Sequence, residues 1–503
     1  MLDALSDPAP TERIDAARRS IAWWPVGLIA AATTLLLLGT ANRYGYHRDE
    51  LYFRLLGEHP QWGYTDQPPF TPLLARLGIE LFGDTVWAMR VPFAILLGLT
   101  AIVAAMIARE LNGGPAAQSL AAVGVFSAGP LSAAHVSSTA APDLLVWLGV
   151  SYFVIRALLA GRERAWIGAG LVTGLGLYNK HLVVLLLLCI AAGLLWLGPR
   201  HVLQSRWLWA GAGVALLIGL PNLIYQVANG FPQADMAAAI AENKGTESRV
   251  LLLPLQFVLL MLPPVWIAGI VTLLRDPRLR PLRALAVAYP LMLVLVLVIA
   301  GQPYYPVGLL YALFAIGAVP TARWAFGHRP RQALLAVGVT LSVAMGIVSA
   351  LPVIPERSLA GNPAVAANQT IADQIGWREY VWQIAGVHNE LSPADQDRAV
   401  LFTGNYGEAG ALDRYGAQFG LPPVYSGHNE LHNFGPPPEG KTVVVAVLQA
   451  PLPRAAALFG ACQQKATLHN SLGVENEELE ARIYVCRTSE PWAAIWPRTQ
   501  HYD

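Results

Sequence analysis

The run IAWWPVGLIAAATTLLLLGT at residues 21–40, followed by RYGYHRDELY at residues 43–52, decides how the rest of the chain is read. Twenty apolar residues match a hydrocarbon core of about 30 Å, so 21–40 reads as a membrane-spanning helix. Just beyond its end stand two adjacent carboxylates, Asp49 and Glu50. Acids beside a bilayer are costly to keep charged, and they suit the removal of a proton from a hydroxyl. The pair therefore points to catalysis at the membrane face.

Working outward, the composition repeats the message of the first run. The chain has 503 residues, 54% hydrophobic and 13% charged, against roughly 25% charged in soluble proteins. Further apolar runs at 87–108, 117–135, 141–160, 165–179, 182–198, 207–227, 250–273, 284–300, 306–321 and 332–352 bring the expected spans to about eleven. Arg13, Arg18 and Arg19 precede the first run as in a signal peptide. That run is longer than the 7–15 residues of a signal-peptide core and lacks a small-residue cleavage site, so an uncleaved helix is expected. A net charge of +1 with no basic tract gives no footing for nucleic acid.

The apolar runs stop near residue 352, which divides the chain into a membrane domain, 1–352, with a first exterior loop at 41–86, and a tail domain, 353–503. In the tail, β-branched runs at 399–403 and 442–448 read as strands and 408–419 as helix, giving a soluble α/β domain. The Gly- and Pro-rich stretch 420–440 holds His428, Asn429, Glu430, His432 and Asn433, and reads either as a ligand loop or as a plain connection. Cys462 and Cys486 also lie in the tail; an oxidising compartment would let them pair, and two buried thiols are the alternative.

Lys and Arg fall unevenly between alternate loops. Fifteen lie in one set, including Arg13, Arg18, Arg19 and Arg109, and seven in the other. Cationic loops stay in the cytoplasm, so the N-terminus is expected inside. The first loop, the stretch 228–249, the turn at 302–306 and the tail are then outside.

Several further residues on that outer face suit chemistry. Asp66 follows an aromatic-rich segment of the first loop, which also suits a stretch lying at the lipid interface. Asp143 opens the fourth span, where an acid serves equally as a helix cap or as a functional group. Arg90, Lys180 and His181 are cations at a depth suited to a lipid phosphate, with snorkelling toward headgroups as the structural reading. Tyr304 and Tyr305 precede the tenth span, as belt anchors or as substrate contacts. No Cys/His set has zinc spacing and no phosphate-binding glycine loop is present, so neither a metal nor a nucleotide is expected.

In this order, Asp49-Glu50, Asp66-Gln-Pro-Pro, Asp143, Lys180 and Tyr304-Tyr-Pro resemble the GT-C glycosyltransferases. More narrowly the chain resembles glycosyltransferase family 39, the bacterial relatives of protein O-mannosyltransferases and lipid A aminoarabinose transferases. Stretches 405–412 and 422–428 look like features of a bacterial subgroup. The resemblance implies a polytopic GT-C fold in a bacterial inner membrane, with the active site extracytoplasmic. It also implies an inverting transfer of a sugar from a polyprenyl phosphate donor to a hydroxyl of an envelope protein, lipid or glycan, with no cofactor. Asp49 would be the base with Glu50 beside it; Arg90, Lys180 and His181 would meet the donor phosphate; Asp66, Asp143, Tyr304 and Tyr305 would contact substrate. Where the lipid A transferases carry a basic residue before the Pro-Pro pair, this chain has Gln67, so a phosphate contact does not carry over there. Two other functions compete: a transporter or lipid-linked sugar flippase, and a scaffold displaying the tail. The first would place charge near the midplane within repeated halves, and the second leaves Asp49 and Glu50 without a purpose.

Overall fold

A computed structural model describes residues 19–159 and 161–502. Arg13 and Arg18, two of the expected cytoplasmic cations, lie outside the described residues. Each apolar run coincides with helix, because backbone surrounded by lipid must satisfy its own N–H and C=O groups. Among the described residues, seven helices are long and apolar enough to cross a bilayer alone: Trp23–Thr40, Val86–Glu110, Ala140–Leu159, Arg206–Ala228, Pro277–Ile299, Val307–Ala325 and Arg329–Ala350.

The remaining expected spans are modified. Residues 117–135 divide at Ser127, whose extended backbone separates Pro115–Phe126 from Ala128–His135. Ala165–Gly176 and Leu182–Leu197 are 12 and 16 residues long, about 18 and 24 Å at 1.5 Å per residue, less than the bilayer core. Residues 250–273 are not one span: Pro232–Leu259 and Pro263–Arg275 meet at 99°. Leu262 takes a left-handed φ of +67° and Pro263 has no N–H to continue the ladder, so the helix cannot run through. The expected exterior loop at 228–249 is mostly the first half of that bent pair, started by Gly230 (φ +73°) and Pro232.

The first loop is itself helical. Arg48–Glu58, the acidic helix, starts with a reciprocal cap. The Asp49 N–H donates to His47 Nδ1 at 3.2 Å, and the His47 N–H donates to Glu50 Oε2 at 2.8 Å. Phe70–Phe82 follows the Pro68-Pro69 pair, and the Phe70 N–H is tied to the Tyr178 carbonyl at 2.8 Å.

In the tail, β1 (Ala399–Thr403), β2 (Val424–Ser426), β3 (Val443–Leu448), β4 (Ala461–Thr467) and β5 (Arg482–Arg487) form a sheet ordered β2-β1-β3-β5-β4. The first three strands are parallel and β5 runs antiparallel to β3 and β4. β1 and β3 are buried along their whole length, as expected of strands covered on both faces. Cys462 and Cys486 pair across β4 and β5 and form a disulfide.

After β1 comes the helix Tyr406–Tyr415, which lies against the acidic helix. A side chain at Gly410 would stand 2.7 Å from the Leu51 carbonyl, so only glycine permits this approach. The sequence 405–412 is thus the seam by which the tail meets the first loop.

Candidate active site

Adjacent residues in a helix point about 100° apart, so the acidic helix sends Asp49 and Glu50 in different directions. Asp49, with its side chain one-third exposed, lines a cavity of about 640 Å³ between the first loop, the membrane helices and the tail. The polar end of the cavity also carries Asp66, Gln67, Lys180, Tyr304, Tyr406 and Asn429. Leu182, Leu185, Leu223, Ile240 and Ile299 form an apolar wall. At the rim Phe231 is 54% and Ile299 41% exposed, so this side faces the hydrocarbon.

Glu50 turns the other way. It is fully buried and forms a two-point ion pair with Arg90, Nε to Oε1 at 2.8 Å and Nη2 to Oε2 at 2.6 Å. Arg90, 2% exposed, also donates to the Ala41 and Gly45 carbonyls at 2.6 and 3.0 Å and to Gln374 at 3.1 Å. Its donors are spent on the protein and it does not line the cavity. The expectation that Arg90 meets a donor phosphate is therefore corrected, as is a direct part for Glu50 in proton transfer. Both residues fix the root of the acidic helix.

Around Asp49 the electrostatics favour charge. Burial pushes its carboxyl upward, but His47, Arg48 and a hydrogen bond from Tyr406 outweigh that and hold it below the ordinary range. Tyr406 Oη donates to Asp49 Oδ1 at 2.8 Å and receives hydrogen bonds from Arg48 Nη2 and Nε at 3.0 and 3.2 Å. Arg48 is also paired with Glu477. Asp66, across the cavity, differs: burial pushes its carboxyl up to about 7, against a hydrogen bond from Tyr52 Oη at 3.0 Å. Two carboxylates in one site are thus driven apart in acidity, the pattern that separates a base from a neutral donor.

Lys180 Nζ lies 3.4 Å from Tyr304 Oη and over the rings of Tyr304 and Tyr305, 5.1 and 5.7 Å from their centroids. Two aromatic faces and a phenol thus hold this cation at the cavity. Burial keeps the Tyr305 phenol protonated up to about 12. His181 lines the same cavity with Nε2 2.8 Å from Asn222 Oδ1. Asp143 is 9% exposed in the first turn of Ala140–Leu159. It does not line the cavity, so the expectation that it contacts substrate is corrected; its effect on Tyr304 and Tyr305 is electrostatic.

Some participants are not legible in the sequence. Lys244, one of the seven cations of the expected outer loops, reaches the cavity on the Pro232–Leu259 helix. The tail supplies Tyr406 and Asn429. Nearby, Glu430 accepts from the Thr65 N–H and Oγ at 2.8 Å each, from Gln61 at 3.1 Å and from Asn433 at 3.1 Å. The loop 420–440 thus clamps the first loop, with Glu430 as the clamp and Asn429 at the cavity. Its one advance signal was a run of polar side chains between two strands.

Residues 66–225 match the family described as dolichyl-phosphate-mannose-protein mannosyltransferase. Two curated relatives from Pseudomonas fluorescens are undecaprenyl phosphate-alpha-4-amino-4-deoxy-L-arabinose arabinosyl transferases 1 and 2. The first is 26% identical over 207 residues, covering 39% of this chain and 37% of that protein. The second is 29% identical over 129 residues, covering 25% and 22%. The matches therefore span well under half the length of either relative. Among solved structures, ArnT from Cupriavidus metallidurans superimposes in its apo state with a TM-score of 0.56 at 16% identity, covering 93% of this chain and 98% of that one. Bound to undecaprenyl phosphate, it gives 0.55 at 18% identity, covering 93% and 99%. By fold, then, this chain is similar to ArnT, and over residues 66–225 its sequence is similar to the dolichyl-phosphate-mannose-protein mannosyltransferase family.

Proposed function

We propose that this chain is an inverting glycosyltransferase that moves a sugar from a polyprenyl phosphate donor to a hydroxyl acceptor. The observation that carries the reading is one cavity in which an ionised carboxylate, Asp49, and a cation held by aromatic rings, Lys180, share a polar end beside an apolar, lipid-facing wall. Those are the parts such a transfer needs: a base, a phosphate partner and a berth for an isoprenoid chain.

In the proposed step the acceptor oxygen attacks the anomeric carbon from the side opposite the phosphate. As that C–O bond forms, the acceptor proton passes to Asp49, and the bond from the anomeric carbon to the phosphate oxygen breaks with its electron pair. General-base help of this kind contributes roughly 10²–10⁴ in rate. Lys180, with Tyr304 and His181 beside it, receives the departing phosphate charge. Asp66 and Tyr305 contact the sugar or the acceptor, while Asp143 acts on the two tyrosines through its charge. Glu50 and Arg90 act by holding the acidic helix in place. A polyprenyl phosphate is a good leaving group, so the reaction as proposed requires no metal.

The carrier lipid of the relatives and the undecaprenyl phosphate bound by the Cupriavidus protein support the donor class. We place the chain in a bacterial inner membrane with cavity and tail outside the cytoplasm. The excess of cations in alternate loops and the tail disulfide support that orientation. The acceptor is a hydroxyl of an envelope protein, lipid or glycan.

The test supplies the purified full chain, with envelope vesicles as acceptor, with undecaprenyl phosphate carrying radiolabelled 4-amino-4-deoxy-L-arabinose or mannose. The expected result is label transfer with release of undecaprenyl phosphate, abolished in Asp49→Asn. Undiminished transfer by Asp49→Asn removes the base. Movement of intact donor between leaflets without cleavage would mean a flippase. Ser392→Cys in the exposed tail should react with an impermeant maleimide added outside spheroplasts; protection there would overturn the orientation.

A further inference from the structure

The acid assigned as base of the proposed transfer, Asp49, belongs to the first loop, yet the group that holds it does not. Tyr406 arrives from the tail at the first turn of Tyr406–Tyr415, where close glycine packing presses that helix onto the acidic helix. Its phenol is fixed from three directions. The ring stacks on Tyr52 with centroids 4.7 Å apart, Arg48 donates twice to Oη, and the Tyr406 N–H is tied to His428 Nδ1 at 3.2 Å. With both of its outer donors coming from Arg48, the phenol has one direction left for its own proton, and that proton points to Asp49 Oδ1 at 2.8 Å.

We infer, resting on that assignment of Asp49, that Tyr406 is a positioning residue for the base and that the tail domain is a working part of the active site. The hydroxyl pins one carboxylate oxygen, sets the plane of the carboxylate toward the cavity, and relays the Arg48 charge to it. A parallel arrangement holds the second acid: the Glu430 N–H donates to Tyr52 Oη at 3.2 Å, and Tyr52 Oη donates to Asp66. Each cavity acid is thus addressed by a tyrosine whose orientation depends on tail backbone, and the two tyrosines are stacked on each other.

Other charges also act on Asp49. His47, Arg48 and Lys244 favour its ionised form. Asp66, Asp373 and Glu478 oppose it, and Tyr304 faces it across the cavity. Removing the Tyr406 hydroxyl takes away one favourable contact and leaves the rest. The carboxyl should then protonate at higher pH.

The test is Tyr406→Phe in the full chain, which keeps the ring and its stacking. The first readout needs no substrate. A carbodiimide that reacts with protonated carboxyls is applied across a pH series, and modification of Asp49 is followed by peptide mass spectrometry, with Asp49→Asn as the blank. The midpoint should rise by about one pH unit in Tyr406→Phe, and by less in Arg48→Lys, which keeps the charge but loses the fork. In the transfer assay kcat should fall about tenfold, within the range of lost positioning, with the donor KM unchanged and the acid limb of the pH profile moved the same way. An unmoved midpoint overturns the inference, because a ring that only filled space would be replaced by Phe without effect. Full activity in Asp49→Asn alongside a moved midpoint would instead retire Asp49 as base and leave the Tyr406 contact standing.

Discussion

The cavity-facing and core-facing sides of the acidic helix carry the same functional group into opposite surroundings. On the cavity side Asp49 is partly exposed, addressed by a phenol and near several cations. On the core side Glu50 is fully buried and spends both oxygens on Arg90. One position has room for a substrate; the other has none. An acid beside a membrane therefore signals importance without saying of which kind, and helix phase decides between chemistry and scaffold.

Substitution on each side measures that contrast. Asp49→Asn should lower transfer about 10²–10⁴-fold while leaving the thermal melt of the detergent-solubilised protein near wild type; a large fall in melting temperature would make Asp49 structural too. Glu50→Ala should act first on stability, with transfer lowered only through a loosened acidic helix. It leaves Arg90 charged and unpaired in the core, at a cost of about 3–5 kcal/mol, read as a lower melting temperature. The double change Glu50→Met with Arg90→Met should recover most of that loss, and failure to recover would mean the pair does more than balance charge.

Lys180→Met comes next, with kcat expected to fall about 10²-fold as one stabilising cation is lost, and no loss of stability. Smaller still is the effect at Asp66. Its carboxyl is neutral up to about 7 in the fold, so the folded state binds a proton that the unfolded chain has already released. Stability from this group therefore falls as pH rises from the ordinary carboxylate range toward 7. Asp66→Asn should flatten the melting temperature across that window, and a curve unchanged from wild type would return Asp66 to ordinary acidity. Chelation with EDTA should leave the transfer rate unchanged; a loss restored by a divalent cation would add a metal to the proposed step.

Much of the fold was open to reading because hydrocarbon permits few alternatives. Long apolar runs became helices, and the β-branched runs at 399–403 and 442–448 became β1 and β3. The bent pair was hidden because residues 233–249 are polar enough to pass for loop, yet they carry one unbroken helix with Met236, Ala237, Ile240 and Lys244 on the cavity. At the site, acids and cations at the membrane edge could be found by their cost. Which way Glu50 points could not, since periodicity over so short a helix does not say what packs on each side, and the partner of Arg90 depends on how that helix docks. Tyr406 was beyond reach for a different reason: a tyrosine opening a helix in a soluble domain is ordinary until the domain docks.

That docking has a consequence for how the protein is made. The hydrogen bond from Tyr406 to Asp49 joins residues 357 positions apart, and the ribosome produces them in order. Every membrane helix is synthesised before the residue that sets the carboxylate. A nascent chain bearing the whole membrane domain would carry the acid without its phenol, so competence arrives only when the tail has folded and closed over the loop.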